Sequence, residues 1–324
     1  MLNPDFLHSF QSLCDQHERV LVISHVRPDG DAYGSSLGLG LCLSALGKEV
    51  IVTNADGLSS LFQFLPGSAK FTNSIPSAIE PDRLIIAVDC ADQKRLGSAF
   101  EPGKRPPDVN IDHHISNPSY AKLNLIDAES PATAQVLFEI IIALKWPLTP
   151  EVAANLYVGL MTDTGSFRYR QTTARTFEVA AALVKAGADP TDLAEGCYQN
   201  FRAERLLLMR EVLNELHFAN ENRVAWFYLT PETYKRTGAT PEETEGLIEY
   251  LQAVKTVEVA FLLEAMSDGM TRGSLRSRGK VDVQKICSEF GGGGHRLAAG
   301  LRSRLEPAAL EKKLLDLIAK QLPN

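Results

Sequence analysis

The chain has 324 residues, 44% of them hydrophobic and 23% charged, a balance that excludes long disorder and suits two globular domains. A net charge of −7 argues against a globally basic nucleic-acid binder, and the lack of an apolar run of about 18 residues excludes a membrane-spanning helix. The five cysteines (Cys14, Cys42, Cys90, Cys197 and Cys287) are scattered and form no C-x-x-C pair, so no disulfide framework or zinc-thiolate site is expected and a reducing cytoplasm fits.

In chain order, the N-terminus MLNPDFLHSF lacks the basic-then-apolar layout of a signal peptide. Val20–Ser24 (VLVIS) is an apolar, β-branched run of the kind that forms a buried parallel strand. A helix is expected over Gly34–Leu46, stopped by Gly47. Strands follow at Glu49–Thr53, Leu84–Val88 and Val109–Ile111, then helices at Thr133–Leu144, Glu151–Met161 and Ala174–Ala186. This alternation predicts an α/β domain, a mostly parallel sheet flanked by helices, over residues 1–188. Asp189–Asn214 is a charged amphipathic stretch that reads as a connecting helix, with 189–205 as the linker. From 206 to 324 a second, smaller α/β domain is expected. Its strands lie at Val224–Leu229, Val257–Leu263 and Thr271–Ser277, and its helices at Pro241–Ala253, Val281–Phe290 and Pro307–Gln321.

The chemistry clusters after the strands. VLVIS is followed by His25, Asp29 and Asp31 (HVRPDGD), LIIAV by Asp89, and VNI by Asp112, His113 and His114; Asp163 closes a helical run in LMTDTGSF. Each piece alone has an ordinary reading: Pro28-Asp29-Gly30 is a turn signal, an Asp after a strand caps a helix, and paired histidines sit on surfaces. Joint placement changes this, because parallel α/β sheets bind ligands beyond the carboxyl ends of their strands. His25, Asp29, Asp31, Asp89, His113 and Asp163 form a candidate metal set of four carboxylates and two imidazoles, without thiolate. That mix favours Mn²⁺, with Mg²⁺ or Fe²⁺ as alternatives. Four negative charges suit two divalent ions, and an ion pair about 3.5–4 Å apart is a known device for phosphoester hydrolysis.

The second domain carries its own signal. Residues 270–304 hold eight Lys/Arg against two acids, and include SLRSR (Ser274–Arg278) and GGGGH (Gly291–His295). A glycine run forms either a flexible loop or a nest of backbone N–H groups for an anion. His295 and the basic neighbours favour phosphate, although no Walker A Lys-Ser/Thr follows the glycines.

HVRPDGD, VDCAD, IDHH and MTDTGSF together resemble the four motifs of the DHH phosphoesterases, and SLRSRGKVDV with FGGGGHRLAAG resembles the C-terminal DHH-associated substrate domain. The resemblance spans nearly the whole chain, in order. Size and domain content are similar to the bifunctional oligoribonuclease and 3′-phosphoadenosine 5′-phosphate (pAp) phosphatase type. It implies one Mn²⁺ on His25 and Asp29, a second on Asp31, His113 and Asp163, and Asp89 bridging them. It places His114 close by, either behind the metal ligands or against the substrate phosphate, with Asp112 orienting the histidines, and counts Asp89, Asp112, His113 and His114 as the catalytic group. Ser274, Arg276, Gly291, Gly292, Gly293, Gly294 and His295 would grip a substrate phosphate, and Arg95, in Asp92-Gln93-Lys94-Arg95, would lie near the site. Gln135 departs from the pattern, since relatives often carry Glu there. Phe167 and Tyr169 are candidates for stacking a base, with core packing the alternative for Phe167.

The expected activity is two-metal hydrolysis of short single-stranded RNA (nanoRNA) and of the mononucleotide bisphosphate pAp, without a membrane partner and compatible with a homodimer. A cyclic di-AMP or pApA phosphodiesterase of the same family is the alternative. A non-catalytic nucleotide-binding module and an RNA-binding accessory protein are the readings from other classes.

Overall fold

The computed structural model describes residues 3–76, 79–101, 103–244 and 246–322. The chain divides into two units, one running to Asn200 and the other starting at Phe201.

The apolar runs of the first unit form β1 (Arg19–Ile23), β2 (Glu49–Thr53), β3 (Leu84–Val88), β4 (Val109–Asp112) and β5 (Leu123–Ile126). They pair in parallel in the order β2-β1-β3-β4-β5. Side chains alternate between two cores, as the strand period demands. Val20, Val22, Ile86, Val88, Val109 and Ile111 pack with the helices, while Leu21, Ile23, Ile85 and Ala87 pack with Leu96 and Phe100. The helices are α1 (Pro4–Gln16), α2 (Gly30–Ala45), α3 (Thr133–Ala143), α4 (Pro150–Asp163), α5 (Ala174–Lys185) and α6 (Pro190–Tyr198). Strand β1 has β2 on one side and β3 on the other, so the order reverses between them. The carboxyl ends of β1 and β3 therefore bound the crevice where this architecture binds ligands.

Helix α2 is buried over most of its length and packs on α4 through glycine. A Cβ on Gly34 would lie 2.4 Å from the Asn155 carbonyl oxygen, and one on Gly159 would lie 2.6 Å from Asp31 Oδ1. Only backbone-to-backbone approach fits there, and it brings the end of α4 beside the start of α2.

The second unit holds α7 (Ala203–Asn214), β6 (His217–Ala219), β7 (Val224–Leu229), α8 (Pro231–Thr237), α9 (Leu247–Gln252), β8 (Val259–Ala265), β9 (Thr271–Ser277), α10 (Val283–Ser288), β10 (Gly293–Gly294), β11 (Ala298–Ser303) and α11 (Pro307–Gln321). Its mixed sheet runs β10-β11-β9-β8-β7-β6, with β7 and β8 parallel and the other pairs antiparallel. One face packs with α10 and α11 through Val259, Phe261 and Leu275, and the other packs with α7 and α9 through Ala260, Phe227 and Leu262.

The expected helix at 34–46 starts four residues earlier, because Asp29 caps it. The expected connecting helix over 189–214 is broken: α6 ends at Tyr198, Asn200 donates from Nδ2 to the Leu61 carbonyl, and α7 begins at Ala203. The expected helix over 241–253 becomes a 3₁₀ turn (Pro241–Thr244) and α9, which starts after Gly246 at φ +78°; Glu245 lies outside the described residues. Helix α1, the four-residue β5, and the strands β6, β10 and β11 were not expected from the sequence.

Candidate metal centre

Strand β1 runs into Ser24 and His25, β3 into Asp89, and β4 ends on Asp112 before His113 and His114. Asp29 and Asp31 open α2, and Asp163 ends α4. All of the expected ligands therefore come together.

Asp89 is the hub. It is buried with a left-handed backbone, φ +52°, held by its N–H donating to the Ile111 carbonyl at 3.0 Å. That conformation costs a non-glycine residue roughly 1–2 kcal/mol, and such cost concentrates at functional sites. Its Oδ2 lies 3.4 Å from His25 Nε2, and its Oδ1 lies 3.6 Å from His113 Nε2. On the first side Asp29 Oδ2 is 4.0 Å from His25 Nε2; on the second, Asp163 Oδ2 is 3.3 Å from His113 Nε2. Donor atoms of His25, Asp29 and Asp89 lie within 4.8 Å of one another, and so do those of Asp31, His113 and Asp163.

The supporting bonds show which atoms are left for ligation. Asp29 Oδ1 accepts from the N–H groups of Asp31 and Ala32, so this residue both caps α2 and turns Oδ2 towards His25. His113 Nδ1 lies 3.2 Å from the Ser130 carbonyl, which can only accept, so Nδ1 carries a proton and Nε2 is the nitrogen that faces Asp89 and Asp163. Asp31 Oδ1 accepts from Ser35 Oγ and the Ala134 N–H at 3.0 Å each, and Oδ2 accepts from the Thr133 N–H at 2.6 Å. Ala132, the N-cap of α3, offers no side-chain acceptor, so Asp31 caps that helix from across the core and gains from its dipole. Thr133 Oγ1 also donates to Asp89 Oδ1 at 3.1 Å.

Asp112 serves one histidine rather than both. Its Oδ1 is 2.7 Å from His114 Nδ1 and accepts from the His113 backbone N–H, while Oδ2 accepts from Asn117 Nδ2 at 2.6 Å. The ring of His113 is oriented by Ser130 instead. Arg95 is engaged inside the site: Nη2 lies 2.9 Å from His25 Nδ1 and donates to the Val26 carbonyl at 3.2 Å, and its own carbonyl accepts from the Val26 N–H. It braces the His25 loop. Gln135 is buried on the first turn of α3, and its Oε1 has no hydrogen-bond partner among the described residues. Asn117, Thr133, Ser130 and Ser35 were missed in the sequence, where they look like ordinary loop and helix polar residues.

Burial and crowding set the charges. Burial pushes Asp31 up to about 7, and the nearby Asp89 charge adds to this. Asp163 is raised well above the usual carboxylate range, chiefly by burial. Burial opposes charge on His113, but Asp163, Asp89 and Asp31 outweigh it and raise its pKa to about 9. Burial also opposes charge on His25, yet contact with Asp89 and the Asp29 charge raise it overall. For Asp89, His25, His113 and His114 overcome burial and hold the carboxyl below its usual range. The raised pKa values of Asp31, Asp163, His25 and His113 mark crowded carboxylate charge that protons offset and that a divalent cation would offset in their place. Oxygen and imidazole donors without a sulfur suit Mn²⁺ or a similar divalent ion.

In the second unit, Ser274 and Arg276 share a face of β9 with Arg272; Ser274 pairs with Gly300 of β11, and Gly300 with Gly293. The basic segment is largely neutralised within the fold. Arg272 pairs with Glu264, Arg276 with Glu249, Lys280 with Glu258, Lys285 with Asp282 and Arg302 with Asp268. The glycine run is only partly available to an anion. Gly291 and Gly292 donate their N–H groups to Ser288 and Cys287, closing α10 as a C-cap, and Gly293 and Gly294 form β10. His295 opens the turn to β11, its N–H donating to the Ala298 carbonyl.

Comparison with known proteins agrees with this layout. The DHH family N-terminal domain matches residues 19–160 and the DHHA1 domain matches residues 222–322. The chain is 32% identical over 305 residues to a bifunctional oligoribonuclease and PAP phosphatase NrnA of Thermus thermophilus, covering 94% of this chain and 90% of that protein. It is 28% identical to one named alike from Mycoplasma genitalium, covering 88% of each. Among solved structures, an exopolyphosphatase-related protein of Bacteroides fragilis superposes with a TM-score of 0.90 at 25% identity, over 98% of this chain and 96% of that one.

Proposed function

The chain belongs to the DHH family of phosphoesterases, and from that premise we propose that it is a two-metal enzyme hydrolysing short RNA oligonucleotides and pAp to nucleoside monophosphates. The observation that carries the reading is Asp89, whose Oδ2 faces His25 of its own donor group and whose Oδ1 faces His113, a member of the neighbouring group with Asp31 and Asp163. His25 and Asp29 would hold one ion, Asp31, His113 and Asp163 the other, and Asp89 both. Two divalent ions held there would supply Lewis acidity, lowering the pKa of water and neutralising charge on the attacking and leaving oxygens. We assign Mn²⁺, on the donor types above.

The chain's own residues do the remaining work. Asp31, clamped by the N-terminus of α3, and Asp89, fixed by Ile111 and Thr133, hold their positions before substrate arrives, which is where preorganised sites gain. His114 Nδ1 is committed to Asp112, so Nε2 is the nitrogen left to contact a phosphoryl oxygen or leaving group. Arg276, Ser274, Gly293, Gly294 and His295 are the second unit's candidates for holding a phosphate. Gly291 and Gly292 support that hairpin through the α10 cap, and Arg95 positions His25.

The test is Mn²⁺-dependent turnover of a ribodinucleotide, pAp, a 24-residue RNA, pApA, cyclic di-AMP and pyrophosphate. Fast cleavage of the dinucleotide and pAp is expected. A clear preference for cyclic di-AMP or pApA would replace this reading with second-messenger hydrolysis, and no turnover of any member would replace it with nucleotide binding alone.

A further inference from the structure

Directly after Asp163 the backbone takes three consecutive left-handed residues, Gly165 (φ +56°), Ser166 (φ +59°) and Phe167 (φ +62°). The turn is over-determined. The Ser166 N–H donates to Met161, those of Arg168 and Tyr169 both donate to the Thr164 carbonyl, and that of Phe167 donates to Thr164 Oγ1. Each of the three residues carries an aromatic partner. The Tyr169 ring lies so close over Gly165 that a Cβ there would meet it at 2.4 Å. Ser166 Oγ donates to Tyr198 Oη at 3.0 Å. Phe167 stacks on Phe177, with centroids 5.4 Å apart and planes 27° from parallel, and its other side packs towards Tyr157.

Phe167 is thus a support, and the open faces belong to its neighbours. Tyr169 is 47% exposed, and Phe177, on α5 and stacked on the turn's Phe167, is 55% exposed. Tyr169 is flanked by Arg168 and Arg170, both exposed and without an acidic partner among the described residues. Gly165 is two Cα steps, at most about 7.6 Å, from the metal ligand Asp163. Flat apolar faces, cationic flanks and a nearby phosphate-binding centre together suit an unpaired nucleobase on a phosphodiester chain.

We infer that Tyr169 and Phe177 form a stacking platform for the nucleobase next to the scissile phosphate of a short single-stranded RNA, an inference that rests on the oligoribonucleotide reading above. Any base has a flat face, so the platform selects single strands without selecting sequence.

The experiment uses the full chain with Mn²⁺ and a phosphorothioate-linked ribodinucleotide carrying 2-aminopurine, whose fluorescence is quenched by stacking, beside turnover of the ordinary dinucleotide. Wild type is expected to quench the probe. Tyr169→Ala and Phe177→Ala should each weaken binding by about five- to hundredfold and raise KM more than they lower kcat. Tyr169→Trp and Phe177→Tyr should restore quenching, and Phe218→Ala, an exposed ring on β6, should change nothing. Unaltered quenching in both alanine variants would overturn the platform. So would equal loss in the Phe218 variant. Turnover by wild type without quenching would remove the platform and leave the proposed function standing. Quenching without turnover would do the reverse.

Discussion

Gly159→Ala measures how tightly the helices hold the proposed metal ligands. On an open helix face this change gains about 1 kcal/mol, because alanine is the better helix former. Here the new Cβ would lie 2.6 Å from Asp31 Oδ1 and 2.8 Å from the Ala134 Cβ. Neither neighbour yields easily: Asp31 is bound by the Thr133 and Ala134 N–H groups, and Ala134 lies on the first turn of the helix it caps. Overpacking of this kind costs typically about 1–3 kcal/mol, enough to cancel the propensity gain or exceed it. Each kcal/mol lost lowers Tm by roughly 2–4 °C in a unit of this size. Displacing Asp31 should also weaken metal binding by about 10–100-fold, the usual effect of disturbing groups that orient ligands. The assay is thermal melting of EDTA-treated protein with and without added Mn²⁺, together with a Mn²⁺ titration. A variant that melts above wild type and binds Mn²⁺ equally well would refute the rigid clamp.

Three further outcomes are expected. Asp31 is raised from 3.8 to about 7, so metal-free native protein carries a proton that the unfolded chain has lost, and stability falls as pH rises across that window. His113, raised from 6.5 to about 9, adds stability below 6.5 that is lost as pH rises through 9. Metal-free protein should therefore melt lower at pH 9 than at pH 5.5 in a calorimetric scan, and Mn²⁺ should remove the difference. Asp112→Asn should cut kcat by about 10–100-fold in steady-state assays while the bound Mn²⁺ count stays unchanged, since Asp112 orients His114. Glu249→Gln, by releasing Arg276 from a half-exposed ion pair worth about 0–1 kcal/mol, should lower KM for the dinucleotide by up to about fivefold.

The convergence of His25, Asp29, Asp31, Asp89, His113 and Asp163 was legible in the sequence because each follows a strand or sits at a helix end, and an all-parallel sheet sends its strand ends to one edge. What holds them was not legible. Thr133 and Ala134 act through backbone N–H groups, which every residue has, and they meet Asp31 from about a hundred positions away. The role of Gly159 depends on which helix lies opposite. The glycine run misled in part: composition suggested a phosphate nest, but two of its N–H groups close α10. The surplus of basic residues at 270–304 looked like an open cationic patch, yet Glu249, Glu258 and Glu264 approach from other elements and neutralise it. The broken connecting helix had no glycine or proline at its break; the tie from Asn200 to Leu61 ends it.

The most direct measurement is the number of Mn²⁺ ions bound per chain by EDTA-treated protein, read by titration under electron paramagnetic resonance, in wild type and Asp89→Asn, with dinucleotide turnover followed in the same samples. Two ions per wild-type chain are expected, with turnover rising as the second binds, and loss of both pair binding and turnover in the variant. A single ion sufficient for full turnover, or an Asp89→Asn variant that still binds two and hydrolyses normally, would contradict the bridged two-metal site.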